Sequence, residues 1–399
     1  MTESEKDSIQ IALKAAISRL LPELRTLNEY IYAHPEGGNE ERLAAAAHCT
    51  LLEAHGFSVE RAYLGLETAF RAVFDTGRPG PALAFLAEYD ALPGLGHGCA
   101  HNLLGTASSG AGLLTAALLA GLPDTAGSIV VIGTPAEETD GAKVLMAERG
   151  AFDAIDAALM AHPAEDYFRS GQSLAMDALA FRFYGKAAHA AACPEEGINA
   201  LDACIQTFNA INALRQHCTP DVRIHGIISQ GGLAANIIPD FAEARFYVRA
   251  ARRKTLRELI PRVIRCAESG ALAAGARLEV SNYEASYDEL QTNQALQDLY
   301  LANMGRMGIV GIQEAKKGFG SLDAGNVSQK CPLIHPWFRI CDQPLPAHTE
   351  AFRDASISET AYEGLQAVLG GLALTALDLL TDAEALRKVR EEFEQQHSV

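Results

Sequence analysis

Three continuous apolar segments constrain the fold of this chain more than any other feature of its sequence. They are ALAFLA at 82–87, SIVVIG at 128–133 and AALMA at 157–161, and helical patterns separate them. A strand that is apolar along its whole length is typical of a parallel sheet that helices cover on both faces. We therefore expect an α/β domain built on a mostly parallel sheet with helices on both faces.

The pattern changes near residue 173. From there the predicted order is strand, helix, strand, strand, helix, strand, which is typical of a ferredoxin-like α+β domain. At 399 residues the chain is long enough for two or three domains of about 150 residues each. We expect residues 1–173 and 287–399 to form one α/β domain, and residues 174–286 to form an α+β domain inserted into it.

The charge balance argues against two classes of partner. Lysine and arginine number 33, and aspartate and glutamate number 50, which gives a formal net charge of −17. Phosphate backbones and anionic lipids repel such a chain, so we expect a small-molecule substrate and neither nucleic acid nor a membrane. The eight cysteines include no C-x-x-C pair and the N-terminus has no signal segment, which predicts reduced thiols and a cytoplasmic location.

One uncharged segment, 103–122, has about the length of a membrane span. Glycine, serine and threonine interrupt its apolar character, which weakens the hydropathy signal. A helix packed closely against a sheet explains these small residues better, so we expect a buried helix here.

Side chains able to bind a metal ion follow each apolar segment. They are Glu88, Asp90, Cys99 and His101 after the first, Glu137, Glu138 and Asp140 after the second, and His162 after the third. Each signal is weak alone, because a buried Cys is often only a small hydrophobe, a Glu-Glu pair is usually solvated and a His-Pro is usually a turn. Since the carboxyl ends of parallel strands meet at one edge of a sheet, the coincidence predicts a common site. Sulfur, nitrogen and oxygen donors together favour Zn²⁺, with Mn²⁺ as the alternative where carboxylate and imidazole dominate.

The adjacent glutamates have a specific use at a metal site. A bound divalent ion lowers the pKa of water from about 15.7 toward about 7. If one glutamate binds the metal, the other can take a proton from that water and pass it to a leaving amine. These groups are the minimal requirement for hydrolysing an amide.

Eight segments, spread over nearly the whole chain, resemble one protein family. They are YAHPEGGNEE (32–41), AEYDALPGLGHGCAHN (87–102), GTPAEE (133–138), MAHP (160–163), GKAAHAAACPEEGINAL (185–201), GGLAANIIPD (231–240), GSLDAGNVSQKCPLIHP (320–336) and AHTEAF (347–352). In this order they resemble the co-catalytic zinc metallopeptidase family that includes aminoacylase and bacterial glutamate carboxypeptidases. The match is closest to its amidohydrolase branch, with aminobenzoyl-glutamate hydrolase, the indoleacetyl-amino acid hydrolases and a dipeptidase active on β-alanyl-lysine-type dipeptides. Two positions depart from the family pattern, because Ala100 stands where glycine is usual and Asn102 where many relatives carry aspartate.

The resemblance implies a role for ten residues. The ligands of a two-metal site would be Cys99, His101, Glu138, His162 and His348. Glu137 matches the general base, and Asp90 matches the acidic residue that orients a neighbouring ligand. His189, in the inserted domain, matches a histidine that stabilises the oxyanion, often from the partner subunit. Asn236 and Arg249 match positions that help to hold the substrate carboxylate.

The resemblance also implies that the inserted domain is a lid and a dimerisation surface, and therefore that the protein is a homodimer. The implied activity is metal-dependent hydrolysis of the amide bond in a dipeptide or an N-acyl amino acid with a free carboxylate. A deacetylase or a C–N hydrolase acting on an aromatic amine is the alternative among hydrolases. A catalytically silent metal-binding regulatory protein is the alternative from another class, and Glu137 argues against it because a structural metal site needs no unligated base.

Overall fold

The computed structural model describes residues 3–315 and 320–398. The chain divides into two compact units. Unit 1 comprises Met1–Gln172, Leu290–Gly318 and Asn326–Val399, and unit 2 comprises Ser173–Glu289 and Phe319–Gly325. The segment predicted as an insertion, 174–286, lies within unit 2.

The order of helices and strands follows the predicted alternation. The helices of the described residues are α1 (Glu3–Ala33), α2 (Arg42–Ala54), α3 (His101–Leu119), α4 (Ala142–Glu148), α5 (Ala200–Arg215), α6 (Arg253–Ala274), α7 (Gln294–Arg306), α8 (Ala324–Ser328), α9 (Glu350–Ala355), α10 (Glu359–Thr381) and α11 (Ala383–His397). The strands are β1 (Ser58–Arg61), β2 (Phe70–Asp75), β3 (Ala82–Ala87), β4 (Ser128–Gly133), β5 (Ala157–Leu159), β6 (His162–Ala164), β7 (Ala175–Tyr184), β8 (Arg223–Gln230), β9 (Phe241–Ala250), β10 (Arg277–Asn282), β11 (Leu333–Ile334) and β12 (Trp337–Arg339).

The main sheet of unit 1 has the strand order β1-β2-β4-β3-β5-β11. Strands β4, β3, β5 and β11 run parallel to one another, whereas β1 and β2 pair in antiparallel fashion. The apolar segments ALAFLA and SIVVIG form β3 and β4 with the predicted bounds, while AALMA is a strand only over Ala157–Leu159. The prediction of a mostly parallel α/β sheet is therefore confirmed.

The uncharged segment predicted as a buried helix is α3. A Cβ added at Gly112 would lie 2.5 Å from Val131 Cγ2, so only a residue without a side chain lets the helix approach β4 this closely. By length and composition α3 and α10 resemble membrane spans, but 94% and 78% of their apolar windows are buried inside the folded chain. Both helices therefore have the burial of core helices.

Unit 2 contains a four-stranded antiparallel sheet in the order β10-β7-β9-β8. Helices α5 and α6 pack against each other and against this sheet. The order β7, α5, β8, β9, α6, β10 confirms the predicted ferredoxin-like α+β arrangement. Residues 320–325 also belong to unit 2, although the sequence placed them in the first domain. One contact of this segment within unit 2 is the hydrogen bond from the Leu174 backbone N–H to the Gly320 carbonyl, at 3.0 Å.

Candidate metal centre

The strands of unit 1 bring their ligand-bearing ends to one edge of the sheet. Since β3 and β4 are parallel neighbours, Asp90 leaves β3 next to the turn that carries Glu137 and Glu138 after β4. His162 follows β5, the other parallel neighbour of β3, and His101 is the first residue of α3. The sheet topology therefore accounts for the convergence of residues that are far apart in sequence.

Six side chains of unit 1 meet at this edge. They form three overlapping groups, in each of which one possible ligand atom per residue lies within 4.8 Å of the others. The groups are Cys99, His101 and His162; Cys99, Glu138 and His348; and His101, Glu137 and Glu138. The structure thus brings together all five residues that the resemblance identifies as ligands, with the glutamate that it identifies as a base.

The donor atoms of this cluster fit a bound cation. Cys99 Sγ lies 3.5 Å from His162 Nε2, and His348 Nε2 lies 3.3 Å from Glu138 Oε1. Among the described residues, His101 Nε2 and Glu138 Oε1 are buried yet have no hydrogen-bond partner. Each has a side chain of possible opposite charge at 3.3 Å but no hydrogen bond, whereas buried polar atoms in native proteins are almost always hydrogen-bonded, so the two atoms fit a metal site. One sulfur, three imidazoles and carboxylates are the donor types of a transition-metal centre.

Asp90 orients two of the cluster residues. Its Oδ1 accepts the Nδ1–H of His101 at 2.8 Å, and its Oδ2 accepts the backbone N–H of Glu138 at 2.8 Å. In the neutral His101 ring the first bond keeps the proton on Nδ1, which leaves Nε2 as the atom able to bind a cation. His162 is held in the same way, because its Nδ1 lies 2.8 Å from the Pro163 carbonyl and its Nε2 faces Cys99.

Burial and neighbouring charges shift the pKa values of the cluster. Burial raises the pKa of the Cys99 thiol to about 12. Burial opposes protonation of His101, but Asp90 and Cys99 together outweigh burial and raise the pKa of His101 well above its usual value. Burial and the neighbouring His101 lower the pKa of His162. A divalent cation would reverse the preference of Cys99, because metals bind the thiolate in place of the proton.

His348 comes from a separate segment that is tied to the Cys99 loop. Its backbone N–H donates to the Gly98 carbonyl at 2.8 Å, which places the imidazole beside Glu138. Its φ is +62°, a left-handed conformation that costs a non-glycine residue energy and that is common at binding sites. The side chain is 54% exposed, so this side of the cluster faces solvent within unit 1.

The two departures from the family pattern have distinct surroundings. Ala100 has φ +61°, a conformation that glycine adopts without steric cost, and it immediately precedes α3. The Asn102 amide donates to Asn28 Oδ1 at 2.8 Å and to Ser356 Oγ at 3.1 Å, so it links α3 to α1 and to the end of α9. Asn102 is therefore part of the packing of the helices and does not belong to any of the three ligand groups.

Sequence reasoning missed the partner of Glu88. Lys143, on α4, is fully buried, and its Nζ lies 2.6 Å from Glu88 Oε1. Glu88 Oε2 lies 3.3 Å from His101 Nε2. Burial raises the pKa of Glu88, but Lys143 and His101 outweigh burial and lower it to about 2. The available signal was a single lysine in the otherwise apolar run AKVLMA, which is unusual for a residue type that is almost never fully buried unless paired.

Sequence reasoning also missed Glu41, which lies in the YAHPEGGNEE segment. Its carboxylate is fully buried and accepts the Thr68 hydroxyl at 2.8 Å and the Ala136 backbone N–H at 2.7 Å. Burial raises the pKa of Glu41 to about 7, with Asp90 adding to the effect and the two hydrogen bonds opposing it. No local sequence pattern predicts this contact, because Glu41 and Ala136 are 95 residues apart.

Two histidines near the ligand segments have packing contacts. His97 is buried with its Nε2 3.1 Å from the Ile31 carbonyl, and burial lowers its pKa to about 4. His335 is buried with its ring centroid 5.7 Å from that of His162 and 5.2 Å from that of Trp337. Neither belongs to the three ligand groups found among the described residues.

The remaining predicted residues lie in unit 2. His189 is exposed, and its Nδ1 accepts two backbone N–H groups at 3.3 Å. The Asn236 carbonyl accepts the backbone N–H of Ala190 at 3.0 Å, so His189 and Asn236 belong to adjacent segments. The Arg249 guanidinium lies 5.3 Å from the Tyr247 ring, and its Nε is buried without a hydrogen-bond partner in the described part of the chain. The roles of these residues toward a substrate stay predictions.

Comparison with known proteins finds relatives in sequence and a similar fold among solved structures. Residues 176–273 match a family model described as a peptidase dimerisation domain. The Xaa-Arg dipeptidase of Homo sapiens is 36% identical over 407 residues, which cover 98% of this chain and 93% of the relative. One of the p-aminobenzoyl-glutamate hydrolase polypeptides of Escherichia coli (strain K12) is 35% identical over 270 residues, which cover 63% of this chain and 56% of the relative. A dinuclear metal-binding peptidase of the M20 family from Bacillus subtilis has a similar fold, with a TM-score of 0.65 at 23% identity, covering 90% of this chain and 99% of the other.

Proposed function

Since the chain belongs to the M20 peptidase family and is therefore a metal-dependent amide hydrolase, we propose that it is a dipeptidase whose substrates carry a free carboxylate. The relative that spans nearly the whole chain is named for dipeptides ending in arginine, so such dipeptides are the first substrates to test. N-acyl amino acids are the second candidates, because the relative that covers 63% of the chain is named for aminobenzoyl-glutamate. The observation that carries the proposal is the convergence of Cys99, Glu138 and His348 with Glu137 on one edge of the sheet.

Five residues would hold two metal ions. These are Cys99, His101, Glu138, His162 and His348. We propose Zn²⁺ as the metal, because one thiolate and three imidazoles are softer donors than Mn²⁺ prefers, with Mn²⁺ as the alternative. When bound, the ions acidify water and polarise the amide carbonyl.

The side chains of this protein would supply the proton transfers. Glu137 shares a ligand group with His101 and Glu138, so its carboxylate lies close to the proposed ligands. As general base it takes the proton of the attacking water and delivers it to the leaving amine. The proposal extends to unit 2, where His189 would stabilise the oxyanion and Asn236 and Arg249 would bind the substrate carboxylate.

The proposal also covers the cellular location and the oligomeric state of the enzyme. We place the enzyme in the cytoplasm, since its eight cysteines, all within the described residues, are free thiols. We also propose that it is a homodimer, because the match to a dimerisation domain falls within unit 2.

The decisive experiment compares Glu137→Gln with Glu138→Gln. The metal-free protein is reloaded with Zn²⁺ or Mn²⁺ and assayed on dipeptides ending in arginine or lysine and on N-acyl amino acids. Glu137→Gln should keep both metal ions and lose about 10²- to 10⁴-fold in kcat, the range of general acid–base catalysis. Glu138→Gln should lose metal as well as activity.

Two results contradict the proposal. A metal-loaded wild-type protein that hydrolyses none of these amides would exclude the proposed substrate class. Full activity of Glu137→Gln would remove Glu137 from the role of general base and leave the metal site unaffected.

A further inference from the structure

The turn that carries Glu137 and Glu138 has a strained residue at its start. Ala136 has φ +59°, a left-handed conformation that costs an L-residue of this type roughly 1–2 kcal/mol. Its carbonyl accepts the Gly141 N–H at 2.8 Å, which closes the turn on itself. Such a conformation persists only where surrounding groups fix it, and it often lies next to a functional site.

Two buried carboxylates fix the backbone on either side of Glu137. Glu41 Oε1 accepts the N–H of Ala136 at 2.7 Å, and Asp90 Oδ2 accepts the N–H of Glu138 at 2.8 Å. The residue between these two amides is Glu137. Hydrogen bonds from backbone amides to carboxylates are stronger than neutral ones, so this pair holds the backbone on each side of the proposed base.

The Glu41 side chain can make this contact because another residue caps α2, the helix that Glu41 precedes. Glu41 is the N-cap residue of α2, but its side chain accepts no hydrogen bond from that helix. The Glu36 carboxylate accepts the backbone N–H groups of Leu43 and Ala44 at 2.9–3.0 Å instead. The Glu41 side chain is therefore free to turn inward, where the Thr68 hydroxyl fixes its second oxygen at 2.8 Å.

The residues before Glu41 contact the same turn. A Cβ at Gly38 would lie 3.0 Å from Ala136 Cα and would clash with the Thr139 hydroxyl, so the segment approaches the turn where it has no side chain. The Asn39 amide donates to the Asp140 carboxylate. Three points of contact along four residues make the segment 38–41 a support for the turn at 134–141.

We propose that Glu41 is a positioning residue for Glu137, acting through the hydrogen bond to the Ala136 amide. The inference rests on the proposed function, because it assigns the support to the proposed general base. Displacement of a catalytic group by about 1 Å costs on the order of 10²-fold in rate, so the loss of this support acts on kcat and leaves binding of substrate unchanged.

Three variants at position 41 and one control separate positioning from charge and from folding. Glu41→Ala removes both hydrogen bonds. Glu41→Gln keeps the length of the side chain, so its carbonyl still accepts from Ala136 while its amide donates to the Thr68 hydroxyl. Glu41→Asp keeps the charge but is one methylene too short to span both partners. Glu36→Ala is the control, because it removes the carboxylate that caps α2 from the same segment, and that carboxylate has no hydrogen bond to the turn.

Three measurements are made on each variant: kcat and KM on a substrate hydrolysed by the wild type, bound metal, and hydrogen exchange of the peptide covering 134–141. We expect Glu41→Ala and Glu41→Asp to lower kcat about 10- to 100-fold with KM and metal content unchanged. Glu41→Gln should retain most of the activity. Exchange over 134–141 should accelerate in Glu41→Ala and stay unchanged in Glu36→Ala.

Each contrary result identifies what fails. Equal kcat values for Glu41→Ala and Glu36→Ala, or unchanged exchange over 134–141, would overturn the positioning role. Higher activity of Glu41→Asp than of Glu41→Gln would show that charge matters and that hydrogen-bond geometry does not. Hydrogen exchange does not require enzyme activity. It therefore tests whether Glu41 stabilises the turn at 134–141 even if the Glu137→Gln result shows that Glu137 is not the general base. If Glu41→Ala does not fold, the comparison of Gln with Asp still decides.

Discussion

Lys143 and Glu88 are two opposite charges that are almost completely removed from solvent beside His101. Their side chains are 0% and 2% exposed, and the ammonium lies 2.6 Å from the carboxylate. Removing either charge from water costs several kcal/mol, which the attraction between the two charges helps to offset. We therefore expect the loss of one member to destabilise the fold more than the pair stabilises it.

We expect Lys143→Met to lower the free energy of unfolding of unit 1 by about 3–5 kcal/mol, because it removes the ammonium nearest to the buried Glu88 carboxylate. The double variant Lys143→Met with Glu88→Gln should recover most of this loss. Trp337, the only tryptophan of the chain, lies in unit 1, so its fluorescence during urea unfolding of the metal-free protein reports on this unit. A double variant no more stable than Lys143→Met alone would contradict the argument.

His48 makes the stability of unit 1 depend on pH. Its ring is fully buried between α2 and α3 with Nδ1 2.8 Å from Ser109 Oγ, and burial lowers its pKa to about 3. In the unfolded chain the histidine takes up a proton below about pH 6.5, whereas in the folded chain it stays neutral until far lower pH. The stabilisation is therefore complete above pH 6.5 and is lost as the pH falls below it.

Between pH 7.5 and pH 5.5 we expect this histidine to account for a loss of about 1.4 kcal/mol, the value of one pH unit below the unfolded pKa. His48→Gln should be less stable at both pH values, yet its stability should fall by about 1.4 kcal/mol less between them. His34→Gln, which removes an exposed histidine, should retain the wild-type difference. Trp337 fluorescence of the metal-free protein measures all three, and an unchanged difference in His48→Gln would count against the assignment.

At the scale of secondary structure, the packing of α3 on β4 depends on Gly112, which has no side chain. Alanine is the better helix former by about 1 kcal/mol, but a methyl group at 112 would meet Val131 at 2.5 Å. We expect Gly112→Ala to destabilise unit 1 by about 1–3 kcal/mol, because the helix must move off β4. Gly305→Ala is the matched control on α7, where a Cβ has no atom within 4 Å, and it should stabilise by up to about 1 kcal/mol. Opposite signs in Trp337-monitored unfolding confirm the packing, and equal signs refute it.

The elements that the sequence predicts best are those whose environment is uniform. ALAFLA and SIVVIG are apolar throughout because both faces of β3 and β4 are covered, and their bounds follow from that run. AALMA has the same composition, but β5 ends at Leu159 and the chain pairs again as β6 with β12. That second pairing depends on a partner more than 170 residues later, and no local pattern encodes it.

The candidate site likewise has a part that the sequence predicts and a part that it does not. Strand ends that share an edge are predictable from the parallel sheet, and this rule brings Cys99, Glu138 and His162 together without knowledge of the structure. The supports behind them are not predictable, because the bonds of Glu41 to Ala136 and of Lys143 to Glu88 depend on how loops and α4 pack. Burial of a carboxylate or an ammonium is a property of the tertiary structure and leaves only a faint compositional trace.

At the scale of the whole molecule, an exposed edge strand is the candidate contact for the proposed dimer. β8 ends the sheet of unit 2 and pairs only with β9 among the described residues. Ile227 and Ile228 on this strand are 64% and 40% exposed. Monomeric proteins usually protect such an edge with charge, proline or a covering element. An exposed apolar edge in the unit that matches a dimerisation domain therefore favours pairing of β8 with its copy across a two-fold axis.

We expect Ile227→Lys to weaken the proposed dimer, because it would place a like charge on both copies of β8 and would remove apolar area from the contact. Light scattering coupled to size exclusion should then give the 42.6 kDa of one chain, whereas the proposed wild-type dimer should give twice that mass. Val310→Lys, at an 86% exposed valine of unit 1, introduces the same charge and should remain dimeric. Unchanged far-ultraviolet circular dichroism would show that both variants are folded. A wild type that is monomeric at micromolar concentration would refute the dimer itself, whereas a dimeric Ile227→Lys would refute only the edge of β8 as its interface.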